Sequence, residues 1–451
     1  MKQIDRLRNL GLFDSRVPRY TSYPTAPIFG TDVGGTFQEA ALANLPVDVP
    51  VSVYIHIPFC ERLCWFCACR TQGTRTLNPV ENYIGVLEQE LSLIAKHIPD
   101  GLRMGRLHWG GGTPTILSPE LIHRLAKAVK AVFQPTEDCE FSVEIDPTLV
   151  DRAKIAALAA EGMNRASIGI QDFDTQVQTA IGREQPFSVT KRCVDDLRAA
   201  GIHSLNADLV YGLPHQDKPR ITDTVNKVLS LAPDRVALFG YAHVPWMAKR
   251  QQLIDDTALP SDENRFGLAE TAAGLLHGAG FESIGIDHFA KPEDGLCKAK
   301  HSGHLRRNFQ GYTDDHCPTL VGIGASSISR FASGYVQNAP ATAAYIARIT
   351  EGQLPGARGY AMQPEDKLRA RTIEMLMCDF TLDLPALTKQ FGDDAEALAP
   401  HIEEVCEVYG SLVTWSGDKL TITPAGRPLT RMIASTFDTH KPEGVRYSQA
   451  S

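Results

Sequence analysis

A chain of 451 residues, 43% hydrophobic and 22% charged, is long enough for a sizeable core and roughly three domains, fewer if one is a barrel. Nothing in that composition points to disorder or a fibre, and the formal net charge of -8 excludes a general nucleic-acid or anionic-membrane binder, which needs a basic face; a local basic pocket stays open. No apolar run reaches the length of a bilayer-spanning helix, and Met1 to Asp14 sets Lys2, Asp5, Arg6 and Arg8 among its leucines where a signal peptide is apolar, so the expectation is a cytoplasmic protein with no membrane contact.

In chain order, the first distinctive segment is Pro18-Arg19-Tyr20-Thr21-Ser22-Tyr23-Pro24-Thr25-Ala26. Its prolines fix φ and push the residues before them away from helix, so it predicts a stiff extended arm, either a strap on the body or a lid over an open mouth. From Val51 onward, short β-branched runs at 51–57, 106–109, 140–145, 165–170, 204–210 and 235–239 alternate with amphipathic stretches at 79–97, 119–133, 151–161, 189–200 and 221–231. That alternation predicts an α/β fold, a partial (β/α)6-type barrel whose working face lies at the C-terminal edge of the strands. A helix at 264–277 and a strand at 281–286 follow, then an irregular stretch from 287 to 310 and a tight turn at Gly322-Ile323-Gly324-Ala325-Ser326-Ser327.

From Pro364 three helices precede a β-wing at 411–423 around Ser416-Gly417-Asp418, a small helical, winged-helix-like domain. Winged helices often bind DNA, but here Lys419, Arg427 and Arg431 are outnumbered by Glu403, Glu404, Glu407 and Asp418, so no phosphate-tracking stripe forms. The resulting division is an N-terminal arm and substrate lid at 1–48, the barrel with its extension at 49–360, and the C-terminal helical domain at 361–451.

Of ten cysteines, Cys60, Cys64, Cys67 and Cys69 fall together, while Cys139, Cys193, Cys297, Cys317, Cys378 and Cys406 are scattered. A disulfide framework would be spread through a smaller chain; in a reducing compartment the tight group reads as metal-binding and the singletons as small buried hydrophobes. Three thiolates directly after the first strand can converge on a soft metal centre. A four-iron cluster needs a ligand on each iron, so three cysteines leave one iron open. That iron can chelate the amino and carboxylate groups of S-adenosylmethionine, whose one-electron cleavage gives a 5′-deoxyadenosyl radical able to take hydrogen from unactivated carbon. The competing reading is a zinc site of Cys60, Cys64, Cys67 and either Cys69 or His56, although structural zinc motifs usually come as two separated pairs. Cys69 crowds Cys67 too closely to share a small centre and is read as a non-ligand.

Cys-x3-Cys-x2-Cys after a barrel strand, within Tyr54-Ile55-His56-Ile57-Pro58-Phe59-Cys60 and followed by Phe66 and Cys69, resembles the oxygen-independent coproporphyrinogen III oxidase family of the radical S-adenosylmethionine superfamily. The resemblance runs through nearly the whole chain: the arm, His108-Trp109-Gly110-Gly111-Gly112-Thr113-Pro114-Thr115, Asp208-Leu209-Val210-Tyr211-Gly212-Leu213-Pro214, Tyr241-Ala242-His243, Asp287-His288-Phe289 and Arg307-Asn308-Phe309-Gln310-Gly311-Tyr312. Trp65 departs from the tyrosine of close relatives but remains an aromatic shield.

The resemblance implies one [4Fe-4S] cluster on Cys60, Cys64 and Cys67, which with Tyr54 form the catalytic set. It also implies two S-adenosylmethionine molecules, held by Tyr54, Phe66, Gly111, Gly112, Thr113, Glu144, Gln171, Arg183, Asp208, Ala242 and Ile328. The implied activity converts two propionates of coproporphyrinogen III to vinyl groups, giving protoporphyrinogen IX in haem biosynthesis, by a monomer served by a reduced flavodoxin- or ferredoxin-type donor. Arg19, Arg306 and Arg307 are the candidates for pairing with the propionates. The alternatives on the same barrel are a haem chaperone and a haem-degrading radical methyltransferase; such relatives generally lack the Tyr-Thr-Ser-Tyr-Pro-Thr arm and the equivalent of Cys69, both present here.

Overall fold

The computed structural model describes residues 3–440, 444, 445 and 447–450; the outer bounds of the first and last segments named above, residues 1, 2 and 451, lie outside these. Six strands, β1 (Val51–Ile57), β2 (Arg103–Gly111), β3 (Gln134–Ile145), β4 (Arg165–Gln171), β5 (Ser204–Tyr211) and β6 (Arg235–Gly240), lie side by side in chain order. All five pairings among them are parallel. Helices α1 (Asn78–Ile94), α2 (Pro119–Val132), α3 (Arg152–Ala160), α4 (Phe187–Ala199) and α5 (Lys218–Ser230) make the crossovers. Parallel strands are covered on both faces, and the near-continuous burial along β1 shows why it reads as an apolar run.

The helices form where the sequence supplies both a cap and an apolar stripe. Ser118 accepts from the Leu121 amide at the start of α2, Pro119 costs no hydrogen bond in the first turn, and Leu121, Ile122, Leu125, Ala126 and Val129 bury one face. Asp151 and Asp217 cap α3 and α5 in the same way. Leu125 is fully buried on the α2 stripe, and its truncation to Ala costs about 3 kcal/mol.

The sheet continues on both flanks to twelve strands. Next to β6 lies an antiparallel pair, β7 (Glu282–Ile284) and β8 (His288–Ala290), with β8 on β6. The strand expected at 281–286 stops before Gly285, whose φ of +54 breaks the extended run. On the other flank β9 (Leu320–Ile323) pairs in parallel with β1, and β10 (Ile328–Phe331), β11 (Gly334–Asn338) and β12 (Gly356–Ala361) add antiparallel strands beyond it. The predicted turn joins β9 to β10, with Gly324 and Ser326 at positive φ.

Past Pro364 come the three helices Pro364–Asp379, Leu384–Phe391 and Ala399–Tyr409, then a hairpin of Val413–Ser416 with Lys419–Ile422 on which Thr381–Asp383 adds a third strand. This part has its own core, which Leu7, Leu12, Phe13, Tyr20 and Tyr23 of the N-terminal segment join beside Leu376, Val405, Leu420 and Ile433. The arm is therefore strapped to the C-terminal part. Tyr20 Oη donates to Asp438 at 2.9 Å, and Arg431 Nε donates to the Pro18 carbonyl at 3.1 Å. Among the described residues no helix is long and apolar enough to cross a membrane.

Candidate active site

The cysteine loop leaves β1 at its C-terminal end, with Cys60 and Cys64 buried, Cys67 partly buried and Cys69 exposed. Neighbouring backbone holds it. The Gly112 and Thr113 amides donate to the Ile57 and Phe59 carbonyls, both at 2.8 Å, and Thr113 Oγ1 reaches Cys60 Sγ at 3.5 Å. On the far side the Trp65 amide donates to the Ile181 carbonyl at 2.9 Å, and Gln251 Nε2 donates to the Phe66 carbonyl at 2.7 Å. A Cβ on Gly112 would sit 2.6 Å from the Phe59 carbonyl oxygen and 2.7 Å from that of Ile57. The glycine run after β2 is thus a close approach of two backbones, which only a residue without a side chain allows.

Above this loop, at the C-terminal edge of the parallel strands, opens a cavity of about 840 Å3. Its walls bring together Cys60, Cys64, Phe66, Cys67, Gly111, Gly112, Thr113, Glu144, Gln171, Arg183, Asp208 and Ala242, which the sequence had scattered over almost two hundred positions. Tyr54 and Ile328 stand outside its lining. The Tyr54 ring is stacked on His108 with centroids 5.7 Å apart, and His108 Nε2 approaches the lining residue Glu144 at 3.5 Å. Ile328 is half-buried at the head of β10.

His56 has both ring nitrogens occupied. Nε2 faces the Arg70 carbonyl at 3.3 Å, and a carbonyl can only accept, so Nε2 carries the proton and Nδ1 accepts from Tyr54 Oη at 3.0 Å. Burial lowers its pKa in keeping with a neutral ring. It is a satisfied core histidine.

The polar groups of the cavity are anchored by the protein itself. Glu144 accepts from the Gly111 amide at 3.1 Å. Asp208 accepts from Ser167 and Asn206, both at 2.8 Å, and burial raises its pKa. Arg183 donates to the Gly169 carbonyl at 2.9 Å and stands between Asp146 and Cys64; although burial opposes its charge, Asp146 and the Cys64 sulfur raise its pKa. Of the three cations proposed for propionates, Arg19 lines this cavity, whereas Arg306 and Arg307 line smaller cavities elsewhere.

Several lining residues escaped the sequence reading. Asp146 could have been found as the next residue but one after Glu144, at the same strand end. Arg250 and Gln251 carried no motif, yet Arg250 Nη2 donates to the Cys69 carbonyl at 3.2 Å and to Thr71 Oγ1 at 2.8 Å, tying a remote segment to the cysteine loop. Gly444, Val445, Tyr447 and Ser448 close the cavity from the far end of the chain, a contact with no local signature.

The residues present fit an iron–sulfur cluster. Three thiols share one wall of a roomy cavity, and Thr113 and Arg183 already direct donors at two of the sulfurs, the kind of hydrogen bonding that tunes such a centre.

The model of the radical SAM superfamily matches residues 54–228, and the fold and the cysteine loop make this chain a radical S-adenosylmethionine protein, a class that uses a [4Fe-4S] cluster with S-adenosylmethionine. The chain is 63% identical to the anaerobic coproporphyrinogen III oxidase 1 of Cereibacter sphaeroides, with 100% of both chains covered. It is 54% identical to the oxygen-independent coproporphyrinogen III oxidase of Paracoccus denitrificans, again over 100% of each. The solved structure of coproporphyrinogen III oxidase from Escherichia coli, described as a radical SAM enzyme, superposes with a TM-score of 0.89 at 36% identity, covering 94% of this chain and 100% of that one. Within the superfamily, this chain belongs to the oxygen-independent coproporphyrinogen III oxidase family.

Proposed function

We propose that the chain oxidatively decarboxylates two propionate side chains of coproporphyrinogen III to vinyl groups, giving protoporphyrinogen IX without oxygen, in haem biosynthesis. The observation that carries this is the single cavity in which three cysteines, a backbone cradle and the strand-end polar groups meet, in a chain that matches curated oxidases of that name end to end. When bound, the cluster and S-adenosylmethionine supply a one-electron cleavage strong enough to take a hydrogen atom from unactivated carbon.

The chain's own residues do the rest. Cys60, Cys64 and Cys67 would hold the cluster, with the Thr113 hydroxyl and the Arg183 guanidinium placed to stabilise charge on the Cys60 and Cys64 sulfurs. Glu144 and Asp208, fixed by their neighbours, present carboxylate oxygens suited to an ammonium group and to ribose hydroxyls, with Gln171 beside them. Val210, Phe239, Tyr241 and Val244 give the cavity an apolar side that excludes water from the reacting carbon. Arg19 donates one bond to the Gly240 carbonyl at 3.1 Å and offers its remaining donors to a substrate carboxylate. At each propionate the β-carbon loses one hydrogen atom to the 5′-deoxyadenosyl radical, carbon dioxide departs, one electron passes to an external one-electron acceptor and the vinyl double bond remains.

Two S-adenosylmethionine molecules, a flavodoxin- or ferredoxin-type donor, a monomeric state and the three-part division at residues 48 and 360 complete the proposal. Its test is anaerobic incubation with coproporphyrinogen III, reductant and S-adenosylmethionine, followed by mass analysis. Loss of two carboxyl groups per tetrapyrrole supports the reading; recovery of the tetra-acid intact refutes it.

A further inference from the structure

A second cavity, of about 410 Å3, lies between Tyr20 to Tyr23 of the arm, the β10–β11 hairpin and the helix Pro364–Asp379. Arg19 and Pro27 face the cysteine cavity while Tyr20 to Tyr23 face this one, so the arm forms a wall of both. Its charged lining is lopsided: Arg306, Arg307, Arg330, Lys367 and Arg371 stand against Glu374 alone. In a chain of net charge -8 such a concentration is out of keeping with the surface at large.

The one carboxylate is already engaged. Glu374 Oε2 pairs with Arg371 Nη1 at 2.7 Å and with Arg306 Nε at 3.8 Å, which fixes those two side chains along the wall. Arg330 makes one long contact to the Pro318 carbonyl at 3.4 Å, and neither it nor Lys367 has an ion-pair partner among the described residues. Arg307 is 7% exposed, yet its Nε and Nη1 make no hydrogen bond. Its guanidinium lies over the Tyr312 ring and 3.8 Å from Asp287. A buried guanidinium normally satisfies its five donors, and leaving them unmet is costly, so this deficit points to a missing acceptor.

We propose that this second cavity is a binding site for a compact, multiply charged oxyanion, carboxylate or phosphate, held by Arg307, Arg330 and Lys367 with Arg306 and Arg371 braced on Glu374. Guanidinium forks match the geometry of either oxygen group, and the surplus of positive charge calls for more than one negative charge on the ligand. The volume is half that of the cysteine cavity, which suits a small molecule. The site stands apart from the radical chemistry and would exist whatever substrate the first cavity takes.

The test uses the full-length, cluster-loaded protein under anaerobic conditions, with inorganic phosphate and glutarate as separate probes and potassium chloride at matched ionic strength as control. Titration calorimetry and the melting temperature are the readouts. Saturable binding and a rise of about 2 °C or more with either probe beyond the salt control are expected. The double variant Arg330→Gln/Lys367→Gln, which spares the buried pairs, should weaken that binding by about tenfold or more while its melting temperature without ligand stays close to the parent's. A response to phosphate alone, glutarate alone or both supports the site and names the oxygen chemistry it favours. No response to either, or an equal response in the double variant, overturns it.

Discussion

The guanidinium of Arg183 stands 3.5 Å from the sulfur of Cys64, and the same nitrogen lies 3.4 Å from Asp146 Oδ2. A thiol proposed to hold the cluster, a buried cation and its counter-ion are thus linked through one nitrogen. Removing the cation leaves Asp146 buried and unpaired, which costs about 3 kcal/mol. Arg183→Gln should therefore lower the stability of the air-free protein by that amount in chemical denaturation, and Asp146→Asn added to it should restore part of the loss. Additive losses in the double variant would show that the pair is not coupled.

The glycine at the end of β2 makes a sharper prediction because the obstruction is backbone and cannot swing away. Gly112→Ala places a methyl group against the Ile57 and Phe59 carbonyls, so the cysteine loop must shift, at about 1–3 kcal/mol. Iron per chain after reconstitution should fall below half the parent value. Gly274→Ala is the control: it meets nothing within 4 Å inside a helix and should keep its iron and gain up to about 1 kcal/mol of stability.

Away from the cavity, Glu90 is fully buried in α1, where it accepts from the Gly324 amide at 2.8 Å, from Asn338 at 2.8 Å and from Tyr345. Burial outweighs these bonds and pushes its pKa up to about 7, well above the usual carboxyl range. A carboxyl raised on folding binds its proton more tightly in the native state, so its contribution is fully present below the unfolded value and is lost as pH rises toward 7. The parent should lose stability from this group between about pH 4.5 and 7, by up to roughly 3 kcal/mol. Glu90→Gln should remove that loss, so urea denaturation at pH 5 and 7.5 should show the variant gaining on the parent at the higher pH. A constant difference between the two proteins would contradict the assignment.

The barrel strands were legible because parallel strands covered on both faces leave unbroken apolar runs, as in Val51, Val53, Ile55 and Ile57. Strand β3 proved longer than its run because its outer end, Gln134-Pro135-Thr136-Glu137, is mostly exposed and carries no apolar signal, and β2 because a single buried Met104 between Arg103 and Gly105 makes no run. The flank from β9 to β12 was missed for a different reason. Leu320–Ile323 is four residues long and pairs with β1 some 270 positions away, so neither its length nor its partner is written in the local pattern.

The same distinction divides the site. Cys60, Cys64, Cys67 and the Gly111–Thr113 cradle are spaced along the chain in a way that chemistry can interpret directly. Tyr54 was assigned by resemblance, and the structure stacks it on His108, outside the cavity lining. Arg250, Gln251 and Tyr447 reach the cavity only through tertiary packing, which no spacing announces.

In the proposed reaction hydrogen leaves the propionate β-carbon directly to a radical derived from S-adenosylmethionine. Coproporphyrinogen III carrying deuterium at those carbons tests it most directly, by mass analysis of the 5′-deoxyadenosine formed during an anaerobic turnover. Deuterium in that product, together with the divinyl tetrapyrrole, is the predicted result. Unlabelled 5′-deoxyadenosine beside fully converted substrate would rule out direct abstraction from the propionate.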